Sequence, residues 1–377
     1  MSFNIPDGVY PSLYVHVPFC LKRCPYCAFY KRLWDPTLEK SYLDALEKEV
    51  LSIQENSSSF NIKSLFIGGG TPNSLTLPSF SRMLKILSVF KGRFEVLEKT
   101  VEMNPEAVTP AYLRCLETYG YTRVSLGIQS FDKNELKLLG RIHNVKTIYK
   151  AVEIVKDSKL LSWNMDFMFG FPDSDWNGVR KSLDKAMEVD PPHISLYALT
   201  IEKGTLFEKH GIQPVVQEND YRQYQNICRY LKAKGYLHYE VSAFAKPGHE
   251  CSHNKNYWTY GDFIGVGPSA DSYLNGCHSK NTSNFSQYVK QPTPSIFKGK
   301  LISDSQKKSE FILSNLRLIS GFLLSTYRQR FGSDVLKDFE KEIEELIGNR
   351  WLRLYKGRLQ TTKKGLVMLN EVLIRFV

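Results

Sequence analysis

No run of eighteen apolar residues occurs in this chain, so no helix is expected to cross a membrane. The N-terminus lacks a basic segment followed by an apolar one, so the protein is expected to stay in the cytoplasm. Cysteines are few and odd in number, seven in 377 residues, with three of them inside one stretch of eight. That distribution does not suit a disulfide framework and fits a metal centre in a reducing compartment. The net charge is +11, yet the basic residues are spread along the chain without a dense tract. This reads first as solubility or weak attraction to an anionic surface, and only second as RNA binding. Neither a Walker loop nor G-x-G-x-x-G is present, so a phosphate cradle is not indicated. With 42% hydrophobic and 24% charged residues the composition is that of an ordinary globular protein, long enough for more than one domain.

What is there is organised around one stretch. The β-branched run Ser12 to Val17 predicts a strand, and Pro18 stops it. Cys20, Cys24 and Cys27 follow at spacings of four and three. A loop of this length lets three thiolates converge on one inorganic centre. A structural zinc site is usually closed by four ligands, whereas a four-iron cluster held by three thiolates keeps one iron free for a small molecule. The zinc alternative would need His16, Cys251 or another histidine as the fourth ligand. Cys115 and Cys228 fall in helix-like segments and read as small buried hydrophobes.

Beyond the cysteines, strand and helix patterns alternate. Strands are predicted at 64–67, 100–103, 123–128, 163–169 and 193–199. Helices are predicted after Asp35-Pro36 and near 80–89, 112–116, 136–141, 147–155 and 176–189. Six strand-helix units at roughly 30-residue spacing argue a parallel sheet with crossover helices. Polar residues and glycines lie in or just after the strands, which in a (β/α) barrel is the face where sites are built. The fold class expected is therefore α/β, an incomplete six-stranded (β/α)6 barrel. A helix at 221–234, an extra strand at 238–244 and a polar, glycine-containing stretch at 246–267 follow.

The segment from His278 to Ser305 is rich in Ser, Asn, Lys and Pro, which sets a domain boundary near residue 300: a barrel with its extension over 1–300 and a smaller domain over 301–377. In the tail, Ile312, Leu316 and Ile319 mark one helix, and Val335, Phe339, Ile343 and Leu346 another, stopped at Gly348. Trp351 to Thr361 can form a hairpin about Lys356-Gly357, and Leu366 to Phe376 a last helix. Helices with a hairpin resemble a winged helix, a module that often binds DNA. Here packing on the barrel is the preferred role.

C-x3-C-x2-C with Tyr26 before the last cysteine resembles the signature of the radical S-adenosylmethionine (SAM) superfamily. The resemblance implies a [4Fe-4S] cluster on Cys20, Cys24 and Cys27, with SAM chelating the open iron. Gly68-Gly69-Gly70-Thr71-Pro72 looks like the superfamily's glycine-rich SAM segment. The blocks at 101–105, 125–131, 139–141 and 164–172 are similar to those of the oxygen-independent coproporphyrinogen dehydrogenase group. By position, Tyr14, Tyr26, Gly70, Thr71, Glu102, Gln129, Arg141 and Asp166 would lie at SAM. Carboxylates suit its ammonium and ribose hydroxyls, and Arg141 its carboxylate.

Two features divide that group. Dehydrogenases carry another cysteine two residues after the third, where this chain has Phe29. His253-Asn254-Lys255-Asn256-Tyr257 looks like the HNxxY motif of the HemW-type heme chaperones. Histidine and tyrosine both ligate heme iron, so the resemblance implies heme at His253, with Tyr257 the second candidate. The chain departs from its relatives at Pro268-Ser269-Ala270-Asp271, where they tend to place a small residue and His. The function expected is heme binding and delivery to acceptor proteins, among them respiratory hemoproteins at the inner face of the membrane. Anaerobic decarboxylation of coproporphyrinogen III by an enzyme is the first alternative, and RNA modification a remote one. No nucleic acid is expected as partner, and no catalytic residue is assigned.

Overall fold

The computed structural model describes residues 10–56, 61–92, 97–214 and 217–377. Six parallel strands carry the fold: β1 Ser12–Val17, β2 Ser64–Gly69, β3 Glu98–Met103, β4 Arg123–Gln129, β5 Ser162–Phe169 and β6 His193–Ala198. They stand side by side in chain order. The crossovers are helices α1 Pro36–Glu55, α2 Leu77–Leu87, α3 Pro110–Thr118, α4 Lys133–Leu138, α5 Val145–Lys156 and α6 Trp176–Val189. Short polar side chains begin several of them: Asp35 accepts from Thr37 N, Asn144 from Thr147 N and Asp175 from Gly178 N.

Each strand alternates. Leu13, Val15 and Val17 of β1, Leu65 and Ile67 of β2, and Val124, Leu126 and Ile128 of β4 are fully buried in one core. The intervening residues on the other face include Tyr14 and His16, Glu102, Ser125, and Asn164 and Asp166. One face thus packs on the helices, and the inner face of the curved sheet is polar. Such polar groups need partners inside a fold, and they find them in one another and in the cavities described below.

The sheet does not end at six strands. After α7 Gln217–Ala233, β7 Leu237–Glu240 and β8 Ala243–Ala245 form an antiparallel hairpin on the β6 edge, so the single strand expected at 238–244 is two. The polar stretch 246–267 contains α8 Ser252–Trp258 and β9 Phe263–Val266. β9 pairs parallel with the free edge of β1, adding a seventh parallel strand. Its short run between glycines gave little pattern to read. β10 Asp271–Leu274, β11 Cys277–Lys280 and β12 Lys300–Leu301 extend that edge antiparallel. The sheet stays open, with β7 and β12 at its edges.

The tail comprises α9 Asp304–Asn315, β13 Phe322–Leu323, α10 Leu324–Phe331, α11 Glu340–Gly348, β14 Leu352–Tyr355 and β15 Arg358–Thr361. The three short strands form a sheet in the order β13-β15-β14, the arrangement of a winged helix. The helix expected through 335–346 breaks at Phe339 (φ −134°, ψ 42°) into Val335–Asp338 and α11. The first helix stops at Asn315, short of Ile319. Lys356 and Gly357 turn the hairpin, both with positive φ. Tyr260 and Tyr273 of the extension share the tail's core with Phe311 and Phe322. Val241 N donates to Arg317 O and Ile319 N to Tyr239 O, so the tail is packed on the barrel. No helix among the described residues is long and apolar enough to cross a membrane.

Candidate cofactor and ligand site

The cysteine loop hangs from the C-terminal end of β1. Its two ends are tied by a parallel bridge between Phe19–Cys20 and Arg32–Leu33. Gly70 N donates to Val17 O (2.7 Å) and Thr71 N to Phe19 O (2.6 Å), fixing the loop against the end of β2. A Cβ on Gly70 would collide with Phe19 O and lie 2.8 Å from Val17 O, so only glycine permits this approach.

A cavity of about 540 Å³ opens at the C-terminal ends of the strands. Cys20, Cys24, Cys27, Tyr26, Gly70, Thr71, Glu102, Gln129, Arg141 and Asp166 all line it. The sequence-derived cluster residues and seven of the eight SAM candidates are thus gathered around one space. Tyr14 is the exception. It points into a neighbouring cavity, and its hydroxyl lies 3.1 Å from His16 Nδ1.

Two of the thiols receive hydrogen bonds from other members of this group. Thr71 Oγ1 donates to Cys20 Sγ (3.6 Å) and Arg141 Nη1 to Cys24 Sγ (3.7 Å). Arg141 Nη2 also donates to Asn104 Oδ1 (2.6 Å) and Gly127 O (2.8 Å). Arg141 follows α4 rather than ending it, because Gly140 turns the chain with φ 66°. Gln129 sits at a bulge between β4 and β5 with φ 69°, which re-aims it at the strand end. Asn104, which falls in the block at 101–105 and had no role assigned from the sequence, is a hub. It donates to Thr71 Oγ1 (3.1 Å) and accepts from Arg141, while its backbone pairs with Asn73.

Glu102 and Asp166 face the same space. Burial and the charge of Asp166 push the Glu102 carboxyl up to about 8, against a hydrogen bond from the Gly69 backbone. Burial also raises Asp166, opposed by Ser125 and Asn164, which donate to its two oxygens at 2.8 and 2.7 Å. Behind them Asn164 Oδ1 meets His193 Nδ1 at 2.6 Å, and His193 Nε2 meets the Tyr239 hydroxyl at 2.8 Å. A carboxylate pair sharing one enclosed space favours a cation as its ligand.

The residues named as a fourth zinc ligand lie elsewhere. Cys251 Sγ is 3.5 Å from Glu98 Oε1, at the start of β3 and the opposite end of the barrel. His16 is held by Tyr14 and by the Tyr30 carbonyl. Among the described residues no three His, Cys, Asp or Glu side chains are gathered as around a single metal ion. Three unpaired thiols on one loop, with hydrogen-bond donors to two of them, suit a centre with separate corners for separate ligands.

The HNxxY helix α8 plugs the N-terminal end of the barrel. Glu98 accepts from the backbone N–H of Ser252 and His253 (2.9 and 2.8 Å), an anionic side chain at a helix start. His253 is buried, and burial lowers its imidazole to about 3. Both ring nitrogens are engaged, Nδ1 with Ser64 Oγ at 2.8 Å and Nε2 with the Tyr257 hydroxyl at 3.0 Å. Phe66 stacks on the ring at 5.0 Å. Of the two heme candidates, Tyr257 lines a second cavity, and His253 is not among the residues that line it. That cavity, about 550 Å³, is lined by Tyr14, His16, Phe29, Tyr30, Tyr257, Phe263, Ser269, Asp271 and Lys280. Ser269 and Asp271, from the stretch where this chain departs from its relatives, line it as well. Phe29 lines both cavities.

The comparisons with known proteins agree with this geometry. A sequence model of the radical SAM superfamily matches residues 14–186, and one of the HemN C-terminal domain matches 302–368. The chain is 32% identical over 381 residues to a protein of Escherichia coli K12 named heme chaperone HemW, covering 97% of this chain and 98% of that one. It is 31% identical over 372 residues to the protein of that name in Lactococcus lactis, covering 97% of each. A mitochondrial radical S-adenosyl methionine domain-containing protein 1 of Danio rerio is 30% identical over 99% of this chain and 88% of its own length. Coproporphyrinogen III oxidase (HemN) of Escherichia coli, a radical SAM enzyme of known structure, superposes with a TM-score of 0.84 at 22% identity, over 98% of this chain and 90% of that one, which is a likeness of fold. With near-full-length identity of about a third to proteins of one name, and with the cysteine loop and strand-end cavity in place, the chain belongs to the HemW family of the radical SAM superfamily.

Proposed function

We propose that this protein binds heme and passes it to acceptor proteins, carrying a [4Fe-4S] cluster and SAM as resident cofactors. Cys20, Cys24 and Cys27 would hold the cluster. When bound, the cluster supplies an open iron site and one-electron chemistry. Arg141 would grip the SAM carboxylate, its planar fork matching that group. Glu102 and Asp166 would accept from the ammonium and the ribose hydroxyls, and Gly70 would let the backbone lie against the ligand. Tyr26, Thr71 and Gln129 complete the wall. Heme would sit at the second cavity, beside His253 and Tyr257. Its acceptors would include respiratory hemoproteins, met by a cytoplasmic protein resting at the inner face of the membrane.

The observation that carries this reading is the pair of cavities that meet the cysteine loop, each lined in part by Phe29. A cofactor and a second ligand then have separate rooms. In coproporphyrinogen dehydrogenases the position of Phe29 carries a cysteine. An exposed phenyl ring offers neither a thiolate nor a proton, which weighs against the decarboxylase reading. The test is anaerobic reconstitution of the cluster, titration with hemin, and transfer to an apo-hemoprotein followed by the acceptor's Soret band. Saturation near one heme per chain, with transfer, is expected. Turnover of coproporphyrinogen III without heme transfer would replace this function with the decarboxylase.

A further inference from the structure

A third cavity, of about 330 Å³, lies where the barrel meets the tail. Phe169 of β5 and Leu196 and Ala198 of β6 line one side of it. Their chain neighbours Met168 and Tyr197 line the cofactor cavity instead. Successive residues of a strand point to opposite faces, so the two cavities lie on opposite faces of the same strand ends. Tyr221 and Tyr224 of α7 and the turn Val241-Ser242 between β7 and β8 continue the lining. The tail completes it with Leu366 to Glu371, from the short helices Lys363–Val367 and Leu369–Leu373.

The cation on this lining is Arg317, just after α9. Its backbone is fixed at the seam, because its carbonyl accepts from Val241 N at 2.9 Å. Its guanidinium lies over the Trp258 ring at 5.2 Å. Among the described residues its nitrogens have no hydrogen-bond acceptor and no carboxylate within 4 Å. Glu240 acts on it by charge only, and accepts from Ser242 N at 3.0 Å instead. Burial lowers the guanidinium from its ordinary value. A half-buried cation without a partner is costly, and here it borders an enclosed space.

The lining selects the kind of anion. A guanidinium is a planar fork of donors, which a carboxylate matches with two parallel bonds. A phosphate dianion calls for a second cation, and the lining offers the acid Glu371 instead. Phe169, Leu196, Tyr224 and Met368 give apolar or aromatic walls. The volume is at the small end of the range for ligand pockets, about 300–1,000 Å³. We propose that this cavity binds a small monocarboxylate with an apolar or aromatic body, that the Arg317 fork takes its carboxylate, and that the ligand clasps the tail to the barrel. The site is separate from the cofactor cavity and from the cavity beside Tyr257.

The experiment uses the full-length, cluster-reconstituted protein and four sodium salts: acetate, isovalerate, phenylacetate and indole-3-acetate. Calorimetric titration and thermal melting read binding. At least one of the three larger acids should bind with a Kd of about 1 mM or below, at least about tenfold more tightly than acetate, and raise the melting temperature. Its uncharged amide should bind at least about tenfold more weakly. Arg317→Met should weaken the acid by the same factor, while the unliganded variant melts no lower than wild type, since it removes an unpaired cation and keeps an apolar contact with Trp258. Met368→Trp, which fills the cavity and leaves the cation in place, should also abolish binding. Failure of all four acids to bind overturns the proposal. So does equal binding of acid and amide, or binding indifferent to both substitutions. Stabilisation by inorganic phosphate equal to that by the best acid, and lost in Arg317→Met, overturns the carboxylate assignment.

Discussion

Nη1 of Arg141 lies 3.7 Å from Sγ of Cys24, while Nη2 of the same guanidinium is held by Asn104 and by the Gly127 carbonyl. One side chain therefore ties the cysteine loop to the ends of β3 and β4. A Cβ on Gly127 would lie 3.4 Å from Nη2 and 3.0 Å from Asn104 Oδ1, so the strand is bare where the guanidinium crosses it. Arg141→Ala should still assemble its cluster, since all three thiols remain, but should bind SAM at least about tenfold more weakly. Arg141→Lys should not restore binding, because an ammonium cannot make the planar fork. Iron content and anaerobic equilibrium dialysis with labelled SAM would check this, and unchanged dialysis would remove Arg141 from the ligand set.

Glu102 gives a pH dependence. Its carboxyl titrates at about 8 because it is buried beside Asp166. A cationic ligand prefers the carboxylate, so binding drives out the proton. SAM affinity should rise with pH up to about 8, by at most about tenfold per unit, and then level off. Glu102→Gln should flatten the curve and lower the plateau. A wild-type affinity independent of pH across that window would place the SAM cation elsewhere.

Two glycines make opposite expectations. Gly70→Ala would drive a Cβ into two backbone carbonyls, which cannot move aside like a flexible side chain. It should cost about 2–4 kcal/mol and disorder the cysteine loop. Gly178→Ala, in the first turn of α6, would meet nothing closer than 3.8 Å and should stabilise by up to about 1 kcal/mol. Denaturant unfolding of both proteins, with iron incorporation for the first, checks the pair.

Glu49 is a buried carboxyl that accepts from Gly267 N, Tyr288 Oη and Asn281 Nδ2 at 2.9, 2.7 and 2.6 Å. It joins α1 to the extension beyond β9. Burial raises it from 4.5 to about 7. A folded value above the unfolded one means that its stabilising contribution is complete below 4.5 and is lost as pH rises through about 7. The loss is about 3 kcal/mol. Glu49→Gln should therefore show a flatter stability profile than wild type between about pH 5 and about pH 8. Parallel profiles would show that Glu49 ionises in the fold as it does in the unfolded chain.

The sequence by itself determined the cysteine loop, the six strand-helix units and the set of residues at the strand ends. Each is a local statement: a spacing of four and three, a period of two or near 3.6, a glycine run where a strand stops. In a parallel barrel, strand ends share one face by construction, so listing those ends already lists the wall of the first cavity. Tertiary structure decided the rest. That β9 joins the β1 edge depends on pairing across some 250 residues, which no local pattern records. Tyr14 alternates with the buried core residues of β1, yet which cavity it enters depends on where Phe66 and α8 pack. His253 and Tyr257 are four residues apart on one helix turn, and the motif puts His253 first and Tyr257 second as candidates. Only the seat of α8 against Ser64 and Glu98 buries one ring and leaves the other at a cavity wall, because a helix is one rigid body whose faces acquire meaning from what it packs against.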